Sequence, residues 1–222
     1  MHPILKHITL DTATNPRHSI IWLHGLGADG EDFVPVADEM RLPVAVRYIF
    51  PHAPMQPVTI NGGFIMRAWY DIVAADIGSQ QDEPGIRATQ AAIEALIAGE
   101  RARGIPANNI YLAGFSQGGA IVLHTGLRHP ERLGGILALS TYLPLAATLD
   151  AEAHAANRDV PIFMAHGRSD PIVPYALGAQ SRDQLQQQGW QIDWHEYAMP
   201  HSVCPQEIVD LERWLTKQLQ AR

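Results

Sequence analysis

Ser116 lies in Gly114-Phe115-Ser116-Gln117-Gly118, a G-x-S-x-G pentapeptide with a glycine two residues away on each side. A serine hydroxyl is a weak nucleophile until a base takes its proton and a third group holds that base. By composition alone the pentapeptide turns up in roughly one chain in fifteen of this length, so its surroundings carry the meaning. Residues 109–113, Asn-Ile-Tyr-Leu-Ala, read as a strand, and residues 119–123, Gly-Ala-Ile-Val-Leu, suit a helix. Strand, tight turn and helix in that order make a nucleophile elbow, in which the strained turn pushes the hydroxyl outward and the glycines let strand and helix approach. The positive end of the helix dipole then faces the reacting centre, and the Gln117 N–H is placed to bind an oxyanion. The plainer reading is a glycine-rich turn with a capping serine.

The acid and the base are expected downstream, in the order Ser, acid, His. Eleven histidines compete for the base. His2, His7 and His18 come early and are expected at the surface. His124 and His129 fall on the helix after Ser116, pointing away from the strand ends, while His52 is in a proline-rich loop, His154 in an alanine-rich stretch and His195 inside a strand pattern. His201 differs: it follows that strand in the loop Ala198-Met199-Pro200-His201-Ser202 and precedes the last helix. For the acid, Asp170 follows the apolar run 161–165 through His166-Gly167-Arg168-Ser169, and Pro171 and Pro174 stiffen what comes next. An Asp there can accept the imidazole N–H and fix its tautomer; its plainer use is a turn cap. Asp183 is predicted mid-helix and Asp193 within a strand, where neither is aimed at a site.

A second oxyanion donor is expected after an early strand. Residues 20–23 run into His24-Gly25-Leu26-Gly27-Ala28-Asp29-Gly30, and the Leu26 amide is the candidate, with His24 holding the loop. The same residues match G-x-G-x-x-G literally, which keeps nucleotide binding as a weaker reading. The next strand, however, ends in Pro51 and His52 instead of a ribose-binding acid, and no P-loop lysine is present. Two apolar loops, 61–71 with Trp69 and 141–145 with Tyr142 and Leu143, are candidate substrate walls, or equally ordinary core. No H-E-x-x-H or paired cysteines suggest a metal, Cys204 being the one cysteine, and the chemistry needs no cofactor.

These residues need elements to carry them. Strands are predicted over residues 19–23, 44–50, 110–113, 135–140, 161–165 and 191–197, with an alternating edge strand over 4–10. Helices are predicted over 84–103, 117–129, 175–188 and 205–220, with Gly104, Pro130 and Gly189 just past the ends of the first three. Strands alternating with helices imply a mostly parallel sheet with helices on both faces, and such sheets bind ligands at the carboxyl ends of their strands. Apart from Trp69, each candidate residue lies just after a predicted strand.

The 222 residues, 46% of them hydrophobic, are enough for one α/β domain spanning 1–222, with no repeat or linker. A formal charge of −7 argues against a nucleic-acid partner and gives no basic anchor for a membrane surface. No run reaches the 18 or so apolar residues of a membrane span and no signal peptide is evident, so a cytoplasmic protein is expected.

The stretches WLHGLGADGEDF, NGGFIMRAWYDI, IYLAGFSQGGAIVLHT, LGGILALSTYLP, MAHGRSDPIVP and EYAMPHSVCPQEIVDLERWL resemble, in order and over nearly the whole chain, the carboxylesterase/acyl-protein thioesterase branch of the α/β-hydrolases. The resemblance implies that fold, a nucleophile at Ser116, an acid at Asp170, a base at His201 and oxyanion amides at Leu26 and Gln117. It implies a small-molecule ester or thioester substrate, with short to medium acyl esters as the main expectation and long acyl chains on proteins or lysophospholipids as the alternative. A non-catalytic binding protein on the same fold is the remote one. Homodimers occur in the family. Pro200 departs from it, since Gly usually precedes the base.

Overall fold

In the computed structural model, residues 5–74 and 80–220 are described. Ile4, in the expected edge strand, and His2 lie outside them. Seven strands form one sheet: β1 (His7–Asp11), β2 (His18–Leu23), β3 (Val46–Pro51), β6 (Ile110–Phe115), β7 (Gly135–Leu139), β8 (Ile162–Gly167) and β9 (Ile192–Tyr197). Their spatial order is β1-β3-β2-β6-β7-β8-β9. All neighbours run parallel except β1, which pairs antiparallel with β3 at the edge.

The central strands are apolar at almost every position because alternate side chains enter different cores. Ile20 and Trp22 of β2 belong to one buried cluster and Ile21 and Leu23 to the other; Phe163 and Met164 of β8 divide the same way. The first cluster is completed by α1 (Val34–Glu39) and α6 (Pro205–Gln220). The second is completed by α2 (Glu83–Ala102), α3 (Gln117–Arg128) and α5 (Tyr175–Gln187), with α4 (Leu149–Glu152) contributing Leu149. Every residue of α3 is buried.

The predicted strands and helices are present with ends shifted by a residue or two, except the edge strand expected over 4–10, which starts at His7. Two further features depart from expectation. Residues 61–71 are not merely loop: β4 (Met55–Val58) and β5 (Phe64–Arg67) form an antiparallel hairpin. Its turn ends in Gly62 and Gly63, both at positive φ (67° and 80°), a conformation that side-chain-bearing residues resist. The second is α1, a helix of six residues with proline near its start and no side-chain cap, too short to show a period. His18, expected at the surface, is 8% exposed, because β2 is covered along its whole length.

The strand order reverses beside β2. The chain passes from β2 to β3 on one side and returns to β6 on the other. A crevice opens at such a switch point, outside the carboxyl ends of the strands. The loops leaving β2 and β6 carry residues 24–30 and Ser116.

Candidate active site

Ser116 lies between β6 and α3 with φ 55° and ψ −120°, a conformation costly for a residue with a side chain. Its surroundings hold it there. The Ser116 N–H donates to Leu139 O (2.8 Å), and Ser116 O accepts from Thr141 Oγ1 (2.7 Å) and Ala120 N (3.1 Å). The flanking glycines are needed for space: a Cβ on Gly114 would stand 2.4 Å from the Gly118 carbonyl, and one on Gly118 2.5 Å from Leu23 O. Gly25 brings the first loop against the serine, with its Cβ position 3.5 Å from Ser116 Cβ.

Asp170 and His201 come from adjacent strands. The β8–β9 ladder pairs Gly167 with Tyr197 and continues beyond the strands through Arg168 N→Tyr197 O (2.9 Å) and Ser169 N→Met199 O (3.2 Å). Gly167 permits this contact, since a Cβ there would lie 2.4 Å from Met199 O. His201 Nδ1 thereby meets Asp170 Oδ2 at 2.7 Å, on a carboxylate whose side chain is fully buried. The other oxygen, Oδ1, accepts from Ile172 N (2.8 Å) and Val173 N (2.9 Å). Asp170 is therefore a turn cap and a histidine partner at once. With Nδ1 committed to Asp170, Nε2 is the nitrogen left for the serine, and the ring packs on Phe115, the residue before it, at 4.7 Å.

The loop after β2 is pinned by histidines. His24 Nδ1–H donates to Gly25 O (2.7 Å), and its Nε2 accepts from Ala53 N (3.1 Å). Burial pushes its pKa down to about 4, so it is neutral near pH 7. His52 Nδ1 accepts from Gly30 N (3.1 Å), and Gly27 N donates to Arg67 O (2.8 Å). Gly25 thus brings the loop against Ser116. Leu26 and Gln117 line the same cavity as Ser116, and Gln117 heads α3, where the first N–H groups lack helical partners.

That cavity measures about 370 Å³. Ile72, Ile172 and Val173 supply apolar wall, and Tyr70 and Tyr142 close on each other through their hydroxyls at 2.7 Å. Ile60 and Ile172 are 42% and 58% exposed, and on the hairpin Phe64, Ile65 and Met55 are also exposed. Tyr142 additionally lines a neighbouring groove of about 730 Å³, where Leu143 lies. Of the three expected wall residues, Tyr142 alone reaches the Ser116 cavity. Trp69 is 1% exposed and braces the loop from beneath: its Nε1–H donates to His24 O (2.8 Å), and its ring packs on His24 at 5.0 Å.

Two contributions were not anticipated. The Gln117 side chain clamps residues 69–70, accepting from Trp69 N (2.8 Å) and donating to Tyr70 O (2.6 Å). His166 lies buried beside Asp170, its Nε2 3.5 Å from Oδ2. Its place four residues before Asp170, at the end of an apolar strand, was the available signal. Among the described residues, no group of three or more His, Cys, Asp or Glu side chains is arranged to hold a metal ion, and no helix is long and apolar enough to cross a membrane.

A serine at a strained strand-to-helix turn that lines an apolar cavity, with an Asp–His pair on the loops of neighbouring strands, is the set of groups a serine hydrolase needs on a parallel sheet. The chain belongs to the phospholipase/carboxylesterase family of α/β-hydrolases, whose family model matches residues 8–219. It is 38% identical to acyl-protein thioesterase 1 of Yarrowia lipolytica over 208 residues, 90% of this chain and 92% of that protein. Against acyl-protein thioesterase 1 of Neurospora crassa it is 41% identical over 217 residues, 91% of this chain and 88% of that one. The crystal structure of Zea mays acyl-protein thioesterase 2 superposes with a TM-score of 0.83 at 30% identity, covering 96% of this chain and 99% of that one. That of Arabidopsis thaliana SOBER1 gives 0.86 at 30% identity, with 91% and 99% covered.

Proposed function

We propose that this protein hydrolyses thioesters and esters of fatty acyl groups, including acyl groups carried on proteins, through an acyl-enzyme on Ser116. His201 takes the serine proton as Oγ attacks the acyl carbon, and Asp170 holds the resulting imidazolium. The Leu26 and Gln117 amides receive the oxyanion. His201 then returns the proton to the departing thiol or alcohol and activates water for deacylation. The observation that carries the reading is the 2.7 Å His201–Asp170 pair beside a serine that opens into an apolar cavity. The names of the relatives favour long acyl groups and thioesters over short esters, and the exposed apolar rim suits a long chain. The cytoplasm is the setting this reading implies.

A short- to medium-chain esterase is the second reading. The closed Tyr70–Tyr142 pair and the modest cavity volume favour it.

A fluorophosphonate probe is expected to label Ser116, and Ser116→Ala is expected to lower turnover on the order of 10⁴-fold or more. Unchanged turnover in that variant refutes the mechanism. Acyl-thioester and p-nitrophenyl ester series separate the two readings: an optimum at long thioesters supports the first, and one at two to six carbons the second.

A further inference from the structure

We infer that His166 is a positioning residue for the proposed reaction, holding Asp170 and the cavity wall that follows it in a single arrangement. The inference rests on the Ser116–His201–Asp170 reading and adds a fourth side chain to it.

His166 is 1% exposed at the end of β8. Its Nε2 lies 2.9 Å from Val173 O. A carbonyl oxygen only accepts, so Nε2 carries the proton and donates. Val173 in turn gives its own N–H to Asp170 Oδ1 at 2.9 Å. The acid, Val173 and His166 therefore form a closed circuit, with the His166 N–H edge 3.5 Å from Asp170 Oδ2, the oxygen that receives His201. Val173 also lines the Ser116 cavity, so one imidazole pins both the acid and part of the wall.

The ring has no room to move. Helix α5 crosses it at Gly178, where a Cβ would stand 2.4 Å from Nδ1. Trp194 is stacked at 6.3 Å and Tyr175 meets it edge-on at 6.1 Å. The titratable groups facing it are Asp170, His201 and Tyr175. Burial holds its pKa below the ordinary value, which keeps the ring neutral. Neutrality fits the role: as His201 gains its proton, a second cation beside Asp170 would compete for the carboxylate, whereas a neutral N–H steadies the loop without doing so.

The test compares His166→Phe, His166→Gln and Gly178→Ala with the wild type. Hydrolysis of a p-nitrophenyl ester is measured across pH, with active sites counted by fluorophosphonate titration. In His166→Phe, kcat/KM per titrated site is expected to fall about 10- to 100-fold, as misplacement of catalytic groups does. The acid limb of the profile should move to lower pH, because a loosened Asp170 supports the His201 cation less. His166→Gln retains an N–H donor and should recover much of both effects. Gly178→Ala displaces the ring without altering it and should shift both readouts the same way, which keeps the test decisive if His166→Phe does not fold. Fewer titratable sites with an unchanged per-site rate and unchanged limb would mean a merely structural histidine and overturn the inference. A wild type that takes no label and turns over no ester would instead overturn the serine-hydrolase reading itself.

Discussion

Around Asp170, both carboxylate oxygens and the two following amides are paired: Oδ1 with Ile172 N and Val173 N, Oδ2 with His201. Across Ser116, the cavity wall is mostly apolar, with Leu26, Ile72 and Ile172 offering shape and the Tyr70–Tyr142 hydroxyls paired with each other. Hydrogen bonds fix atoms to within tenths of an ångström and fail sharply when a partner is lost. Apolar walls tolerate exchange so long as volume is conserved. On the proposed mechanism, the acid–base side would set which reaction occurs and the cavity side which acyl group enters.

The largest expected effect breaks the acid–base side alone. Asp170→Asn keeps an oxygen for the Ile172 and Val173 amides, so the loop should persist, but it presents the wrong group to His201. Its kcat should drop about 10⁴-fold with little change in melting temperature. Activity within tenfold of the wild type would show that the two sides are not divided in this way. An intermediate effect is expected at Tyr142, the ring shared by the 370 Å³ cavity and the 730 Å³ groove. Tyr142→Ala should join the two spaces and move the optimum in an acyl-chain series to longer chains, at a stability cost of about 3–5 kcal/mol typical of a lost buried aromatic. An unmoved optimum would place the length-limiting wall elsewhere.

The smallest effect concerns a carboxyl on the acid–base side that lacks Asp170's partners. Glu207 is fully buried in the first turn of α6, just after the His201 loop, and burial pushes its pKa from 4.5 up to about 8. The folded protein keeps this proton where the unfolded chain has lost it. The stability it contributes is therefore present below pH 4.5 and falls as pH rises through about 8. Glu207→Gln cannot ionise, and its advantage over the wild type should be near zero at pH 4 and grow as pH rises to 8.5. Denaturant titrations at the two pH values check this, and an equal difference at both would refute it.

The same contrast decided what could be read from the chain. The elbow, Asp170 and His201 announced themselves because their chemistry demands particular residue types after particular strands. The sheet was legible because burial on both faces writes continuous apolar runs, as at 161–165. The cavity was not: Trp69 and Tyr142 look alike in sequence, yet Trp69 braces His24 from below while Tyr142 faces the serine. Distinguishing them requires knowing which loop lies above which, a tertiary fact. The β4–β5 hairpin had a local signal in Gly62-Gly63, but its strands are only four residues each. Gln117 was read for its amide, while its side chain does separate work on residues 69–70.

The placement of β9 at the end of the sheet order has its own consequence. The serine and the loop after β2 hang from the two middle strands, whereas His201 hangs from an outermost strand bonded to β8 alone within the sheet. Outer strands open locally at lower free energy than the centre of a fold. Each such opening would carry the base away from the nucleophile while the rest of the sheet stayed intact. On the proposed mechanism, turnover would thereby be tied to an edge of the sheet, and in rising denaturant it should vanish before the sheet itself melts.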